Sequence, residues 1–216
     1  MNAAHLKRGA YNSIKMDTIV KKLKEASTAY YNTGISLMTD DEYDALRDQL
    51  EAADPTHPFL TTVGAPVGTG TVKLPVPMPS LNKIKPGTGA IAQFTKIPCS
   101  AWILSEKLDG ISVLWTPADR KLYLRGDGAV GQDVSHLVKL GLQGLPMRLE
   151  KEFRVRGEFV IRKSDVPPNT IGRSWINGVL HRSDPIESDV AKIRFVAYEI
   201  CSAKGGVGTR QDQMKV

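Results

Sequence analysis

The chain has 216 residues, a formal net charge of +6 and 41% hydrophobic residues, enough apolar material for one large domain or a domain plus a small module. No apolar run approaches the ~18 residues of a membrane span, and residues 1–15 lack the apolar stretch of a signal peptide, so a cytoplasmic protein is expected. Cys99 and Cys201 are too far apart in sequence to indicate a disulfide framework or a zinc motif, and the moderate positive charge permits a nucleic-acid partner without requiring one.

Two helices are predicted near the N-terminus, after a loose polar extension over residues 1–15. The first covers residues 17–31, because four apolar residues recur with helical spacing on one face: Ile19, Leu23, Ala26 and Tyr30. The second begins after Thr39, which forms the capping-box pattern with Glu42, and Asp54-Pro55 is expected to end it.

The segment Val63 to Pro79 is rich in glycine and proline and is predicted to be a linker. Beyond it, short apolar or alternating runs bounded by turn residues predict strands. These runs are Ala101 to Leu104, Ile111 to Trp115, Lys121 to Arg125, Phe153 to Ile161 and Ile193 to Ile200. The tail after Cys201 is polar and glycine-rich and is predicted to be frayed. Helices followed by strands indicate an α+β protein.

The run from Ser105 to Gly110 contains the pattern Lys107-x-Asp109-Gly110. Because predicted strands flank it, the lysine is expected at a strand end or tight turn inside the core. Burial favours a free lysine amine, which can attack phosphorus. The alternative is a surface turn with a solvated lysine.

Further blocks accompany this pattern along the chain. They are Tyr30-Tyr31, Asp40-Asp41-Glu42-Tyr43-Asp44, Ser80-Leu81, Arg125-Gly126-Asp127-Gly128 and Arg156-Gly157-Glu158. Together and in this order they resemble NAD-dependent DNA ligases across residues 16–200. The resemblance implies a helical module that binds nicotinamide mononucleotide (NMN) in residues 1–66. It also implies a nucleotidyltransferase (adenylation) domain with mostly antiparallel sheets in residues 67–216.

The same resemblance assigns roles to residues of the adenylation domain. Lys107 would take AMP from NAD⁺ and release NMN, while Asp109 would orient the lysine or contact the ribose. Arg125 and Glu158 would hold the nucleotide sugar and phosphate, and Arg173 would contact phosphate or DNA. The other nucleotide contacts it implies are Ser80, Leu81, Ser105 and Glu106, with Tyr30, Tyr31, Asp40, Asp41, Glu42, Tyr43 and Asp44 in the module.

Several of these residues could instead have a purely structural role. Asp109 could be an ordinary turn aspartate, and Arg125 an edge-strand arginine. Glu158 could form a cross-strand ion pair with a neighbouring arginine of its own run. Tyr30 and Tyr43 could simply pack two helices together.

The sequence also departs from the family pattern. Tyr31 replaces a histidine, and Ser105 replaces a glutamate that reads adenine, with Glu106 one position later. The segment Ser174 to Asn177 is bulkier than in the family. The family's two later phosphate-contacting lysines and its further domains find no counterpart in these 216 residues. A fragment or a natural truncation is therefore expected, with slow adenylation and no nick sealing by this chain alone.

The resemblance further implies Mg²⁺ as a cofactor, with no protein metal site assigned. Nicked double-stranded DNA is the expected partner of a monomeric, nucleoid-associated enzyme, or one in the host cytoplasm if viral. Two alternatives stay open: an ATP-dependent polynucleotide ligase or capping-type enzyme, and a non-catalytic basic remnant that binds DNA. A third, a dinucleotide-binding βαβ unit at the G-x-G-x-x-G run of residues 126–131, lacks the expected helix and parallel strand.

Overall fold

A computed structural model describes residues 3–33, 35–61, 70–80, 84, 87, 89–99, 102–202 and 205–213. Within these ranges, no helix combines the length and the apolar character that crossing a membrane would require. The described elements form an α+β fold, with helices first and an antiparallel sheet after them. This agrees with the fold class predicted from the sequence.

The helical module consists of α1 (Ala3–Thr33), α2 (Asp40–Ala53) and the short α3 (Pro58–Thr61). The predicted capping box is confirmed, because the Thr39 hydroxyl accepts a hydrogen bond from the Glu42 backbone N–H, and Glu42 Oε2 accepts one from the Thr39 N–H at 2.8 Å. A small core holds the helices together through buried Ile19, Leu23, Leu50 and Phe59. The predicted loose extension is wrong in its backbone, since α1 is one continuous helix from Ala3.

The sheet has seven strands in the order β1-β4-β3-β2-β5-β6-β7. The strands are β1 (Thr71–Lys73), β2 (Ile111–Thr116), β3 (Lys121–Leu124), β4 (Val130–Asp133), β5 (Phe153–Ile161), β6 (Ile193–Ser202) and β7 (Gly205–Gly206). Every pairing between these strands is antiparallel. The remaining helices are α4 (Ala90–Phe94), α5 (Gly172–Leu180), α6 (Glu187–Val190) and α7 (Arg210–Gln213), with 3₁₀ turns at Ser135–Lys139 and Lys163–Asp165.

Each face of the sheet is covered by a different part of the chain. Helix α5 packs its buried Ile176, Val179 and Leu180 against the face that carries Trp115 and Phe159. Gly172 at the start of α5 allows close packing, because a Cβ there would lie 2.9 Å from Ile161 Cγ2 of β5. The other face is covered by residues that precede the Lys-x-Asp-Gly run, namely Leu74, Val76 and Met78. Arg173, the second residue of α5, is thereby fixed beside one end of β2 and β5.

Three local predictions are wrong. Trp102, Ile103 and Leu104 form no strand and are exposed, Leu104 to 99%. The part of the predicted linker that the structure describes, from Gly70 onward, contributes β1 and a buried apolar cluster. In the tail, β7 pairs with β6, and the Gln213 side chain accepts a hydrogen bond from the Ile200 N–H at 2.9 Å. For the linker the deciding contact is long-range, because β1 pairs with β4 about sixty residues later, so the local composition did not predict it.

Candidate functional site

The Lys-x-Asp-Gly loop lies at the N-terminal end of β2. Lys107 and Asp109 are exposed, so the expectation of a lysine buried between two strands is wrong. Gly110, in contrast, is buried, and a Cβ at this position would lie 2.0 Å from the Phe159 carbonyl oxygen and 2.9 Å from Glu158 Cγ. The motif needs glycine there because the loop passes directly against β5. Lys107 therefore projects from a loop whose last residue is fixed against the sheet.

Glu158 is the buried carboxylate of the site, with 8% of its surface exposed. It lies opposite Ser112 in the β2–β5 register, and the Ser112 hydroxyl donates a hydrogen bond to Glu158 Oε2 at 3.0 Å. Burial raises the pKa of Glu158, while the Ser112 hydrogen bond and the positive charges of Arg173, Arg125 and Lys107 oppose that rise. Three cations are thus within electrostatic range of one buried carboxylate.

The cross-strand ion pair that was the alternative for Glu158 involves another glutamate. Arg156 Nη1 lies 2.6 Å from Glu199 Oε2, on the neighbouring strand β6. A register shift in the β5–β6 pairing, between Arg156 and Gly157, separates this pair from Glu158. Glu158 instead pairs with Ser112 and lies within electrostatic range of Lys107 in the Lys-x-Asp-Gly loop.

Arg125 follows β3, at the start of the turn that leads into β4. Its backbone N–H donates to the Ser112 carbonyl at 3.1 Å, which places the arginine beside β2. The turn is closed by Asp127 Oδ1, which accepts hydrogen bonds from the N–H groups of Ala129 and Val130. The G-x-G-x-x-G run therefore forms an antiparallel hairpin, and the dinucleotide-binding βαβ alternative is excluded.

Arg173 and Arg125 meet the helical module through its two adjacent tyrosines. The Arg173 Cζ lies 4.3 Å from the Tyr30 ring centroid, and the Arg125 Cζ lies 5.2 Å from that of Tyr31. An Arg173 Nη also donates a hydrogen bond to the Gly110 carbonyl. Cation–π contacts of this kind stabilise by roughly 0.5–2 kcal/mol each, more when they are shielded from water. The predicted site residues of the two parts of the chain are thus brought together.

A small, solvent-open cleft lies between Tyr31, Arg125 and α5. It is also lined by polar residues that the sequence reasoning did not select: Ser112, Gln132, Asn177 and His181. A sequence signal did exist for two of them, since Asn177 and His181 follow Arg173 at intervals of four residues. This spacing puts them on one face of α5.

Comparison with known proteins gives this arrangement a family context. Residues 11–68 match the model of the DNA ligase-like, N-terminal NAD⁺-binding domain. The DNA ligase of Acanthamoeba polyphaga mimivirus is 35% identical over 202 residues, which are 87% of this chain and 31% of that ligase. DNA ligase 1 of Nocardia farcinica is 32% identical over 210 residues, covering 87% of this chain and 32% of the relative. The DNA ligase of Acidiphilium cryptum is 29% identical over 223 residues, which cover 90% of this chain and 33% of that ligase.

The chain is homologous to DNA ligases. It spans about a third of the length of the relatives it matches. The matched family model covers most of α1 and all of α2, including the two tyrosines and the capping box. The similarity to DNA ligases inferred from the five sequence blocks is confirmed by these relatives.

The ligase-type residues of α2 differ in their surroundings. Glu42 is engaged by the capping box, whose Thr39 N–H lowers the pKa of the glutamate. Asp40 and Asp41 are exposed in the first turn, and Asp40 is within electrostatic range of Tyr30. Asp44 is half-buried. Their contacts with a nucleotide stay predictions.

Tyr43 joins α2 to α1. Its hydroxyl lies 2.9 Å from that of buried Ser27, and its ring packs against the small core of the module. The packing interpretation of Tyr43 therefore has direct structural support. Tyr30 instead faces Arg173, so the two tyrosines do not form one continuous stack with each other.

The remaining nucleotide contacts implied by the ligase resemblance lie on less regular segments. Ser80 is exposed just after Met78, whose N–H donates to the Gly128 carbonyl at 2.8 Å and so connects this segment to the β3–β4 turn. Leu81 lies outside the described residues. Ser105 and Glu106 are both exposed beside Lys107. The structure does not favour Ser105 over Glu106 as the residue that reads adenine.

Proposed function

We propose that this chain carries the NAD⁺-binding and adenylyl-transfer part of a DNA ligase, with Lys107 as the nucleophile. The observation that carries the proposal is the convergence of Lys107, Glu158, Arg125 and Arg173 at one end of the sheet, with the module's tyrosines against the two arginines. In sequence these residues are up to 143 positions apart (173 − 30). Their assembly is what adenylyl transfer from a dinucleotide requires.

In the proposed step, deprotonated Lys107 Nζ attacks the adenylyl phosphorus of NAD⁺. A nitrogen–phosphorus bond forms, the phosphorus–oxygen bond to NMN breaks, NMN leaves with that electron pair, and the attacking nitrogen releases one proton to solvent. Arg125 and Arg173 would neutralise phosphate charge through their planar guanidinium groups. Glu158 would accept hydrogen bonds from ribose hydroxyls, and the Ser112 hydroxyl would hold its carboxylate in place.

The NMN half would bind at the module's tyrosines. The rings of Tyr30 and Tyr31 contact guanidinium cations, and aromatic rings of this kind also suit a cationic pyridinium ring. This supports assigning residues 1–66 to NMN binding and residues 67–216 to adenylation. The family model that matches residues 11–68 favours NAD⁺ over ATP as the nucleotide donor.

Mg²⁺ is proposed as a partner of the pyrophosphate. Within the described part of the chain, no group of three or more His, Cys, Asp or Glu side chains is placed to hold a metal ion. Mg²⁺ often uses only one or two carboxylates and completes its shell with waters and phosphate oxygens, which suits this site. Nicked duplex DNA, acted on by a monomer, is the proposed substrate of the ligase whose sequence includes this region.

Intact mass spectrometry tests the proposal directly. After incubation with NAD⁺ and Mg²⁺, we expect one AMP on the wild-type chain and none on Lys107→Arg. Lys163→Arg is the matched control, because Lys163 is exposed on a 3₁₀ turn outside the site, and it should be labelled like wild type. Labelling of Lys107→Arg would exclude Lys107 as the nucleophile, and labelling with ATP alone would favour the ATP-dependent alternative.

A further inference from the structure

We propose that Arg173 is a positioning residue that couples docking of the helical module to the conformation of the Lys107 loop. One guanidinium group contacts both: it donates to the Gly110 carbonyl, three residues after Lys107, and it stacks on Tyr30 of α1. This role deepens the proposed function, on which its catalytic consequence rests. The coupling itself is a property of the unliganded chain.

The helix that carries Arg173 is held rigidly by the main core. Arg173 lies in the first turn of α5, and Ile176 and Val179 of the same helix are fully buried in the main core. Gly172 brings that turn against β5, since a Cβ there would meet the Ile161 side chain. The carbonyl that Arg173 holds belongs to Gly110, which itself passes against the Phe159 backbone. Arg173 therefore anchors the loop to a fixed helix.

The module side depends on the tyrosines. Tyr30 lies 4.3 Å and Tyr31 5.7 Å from the Arg173 Cζ, measured to the ring centroids. Among the described residues, Arg173 Nε is buried and has no hydrogen-bond partner. Glu158 attracts the guanidinium electrostatically, without a hydrogen bond between them in this part of the chain. The rings and the Gly110 carbonyl are thus the direct contacts that position the guanidinium group.

The consequence is a coupling between two sites. If α1 moves away, Arg173 loses its aromatic contacts and gains water, so its hydrogen bond to Gly110 competes with solvent. The Lys107 loop, in which residues 102–109 form neither helix nor strand, then loses an anchor. Docking of the module conversely favours one loop conformation, and by linkage the loop favours docking.

Limited proteolysis with an enzyme that cleaves only after lysine measures this coupling without any nucleotide. Lys107 is exposed, so cleavage after it reports loop mobility, while cleavage after Lys121 in β3 reports unfolding of the sheet. In Arg173→Ala and in Tyr30→Leu we expect cleavage after Lys107 to be roughly 3- to 10-fold faster than in wild type. Cleavage after Lys121 should not change.

Matched variants separate the coupling from general destabilisation. Tyr30→Phe keeps the aromatic face and should behave like wild type, and so should Arg182→Ala, which removes a more exposed arginine that pairs with Asp189 just beyond α5. The double variant Tyr30→Leu/Arg173→Ala should be no faster than Arg173→Ala alone, because both changes remove the same connection. If cleavage after Lys121 also rises in Arg173→Ala, Arg173→Lys replaces it, since lysine keeps the charge without the planar fork.

Two results would overturn the coupling: an unchanged Lys107 cleavage rate in Tyr30→Leu, or additive effects in the double variant. A separate experiment repeats the limited proteolysis in the presence of NMN. We expect it to slow cleavage after Lys107 in wild type and not in Arg173→Ala. If NMN has no effect on wild type, the module's proposed NMN binding fails, while the nucleotide-free variants still decide the coupling.

Discussion

The helical module and the sheet domain bury very different amounts of apolar surface. Among the described residues, four buried hydrophobic side chains form the core of the module, whereas fifteen form the main core of the sheet domain. A core this small contributes little stability of its own. The module therefore depends on contacts at its edge, and the tyrosine–arginine contacts at the candidate site are among them. The comparison indicates that the site lies where the less stable part of the chain meets the more stable part.

Truncating a core leucine in each region should give the largest effects. Leu23→Ala in the module and Leu122→Ala in β3 each remove a fully buried side chain and should cost about 2–5 kcal/mol. All three tryptophans, Trp102, Trp115 and Trp175, lie outside the module. Leu23→Ala should thus reduce helical circular dichroism at lower denaturant than tryptophan fluorescence.

Leu122→Ala is the control for that experiment, since both signals should shift with it. If Leu23→Ala moves the two signals together, the module and the sheet domain unfold as one cooperative unit. The contrast between the two regions would then concern packing alone and not stability.

Gly110→Ala should have the next largest effect, at about 3 kcal/mol, the upper end for overpacking, because the added methyl group meets backbone that cannot rotate away. A Cβ at Gly110 lies 2.0 Å from the Phe159 carbonyl oxygen, whereas one at Gly178 of α5 has no neighbour within 4 Å. Gly178→Ala should instead stabilise by roughly 0.5–1 kcal/mol, as expected in a helix interior. Chemical denaturation measures both, and equal effects would contradict the close approach at Gly110.

Removing the helix cap should have a smaller effect, confined to the module. Thr39→Ala deletes the hydroxyl that accepts the Glu42 N–H and should cost about 1 kcal/mol. Thr39→Ser keeps that hydroxyl and should lie close to wild type. Circular dichroism should detect the loss, and tryptophan fluorescence should not. A shift in the fluorescence transition would show that the module supports the sheet domain.

Because Glu158 is buried, the free energy of unfolding of the sheet domain should depend on pH. Burial raises the pKa of Glu158 in the folded state above the ordinary value of 4.5, so the folded chain binds more protons than the unfolded chain in that window. Stability contributed by this group therefore falls as pH rises from about 4.5 through the raised pKa. Over the same pH range, the free energy of unfolding of wild type should fall relative to that of Glu158→Gln.

Asp189 provides a control of opposite sign. The hydrogen bond from Arg182 lowers the pKa of Asp189 below its ordinary 3.8, so its contribution is present above that value and is lost as pH falls through the lowered pKa. The free energy of unfolding of Asp189→Asn should therefore approach that of wild type at acid pH. If the free energies of unfolding of wild type and Glu158→Gln change with pH in parallel, the pKa of Glu158 is not raised.

Much of the architecture could be predicted because it is encoded locally. The capping box joins residues three positions apart, the apolar run of β2 is continuous in the sequence, and the alternation of β5 is readable within that strand. β1 and β4 were missed because short strands with glycine and polar residues carry little periodic signal, and their pairing partners are distant. Helix α5 was missed for a related reason, as its buried face is defined by the sheet on which it packs.

The sequence by itself determined the similarity to DNA ligases, the order of the blocks and the residue types that the proposed chemistry needs. Tertiary structure alone decided that Lys107 is exposed, that Gly110 passes against the Phe159 backbone, and that Arg173 lies between the loop and Tyr30. The physical reason is one of range. Caps and periodicity involve residues within one or two turns, whereas burial, close backbone approach and cation–π contacts depend on which distant segments the core brings together.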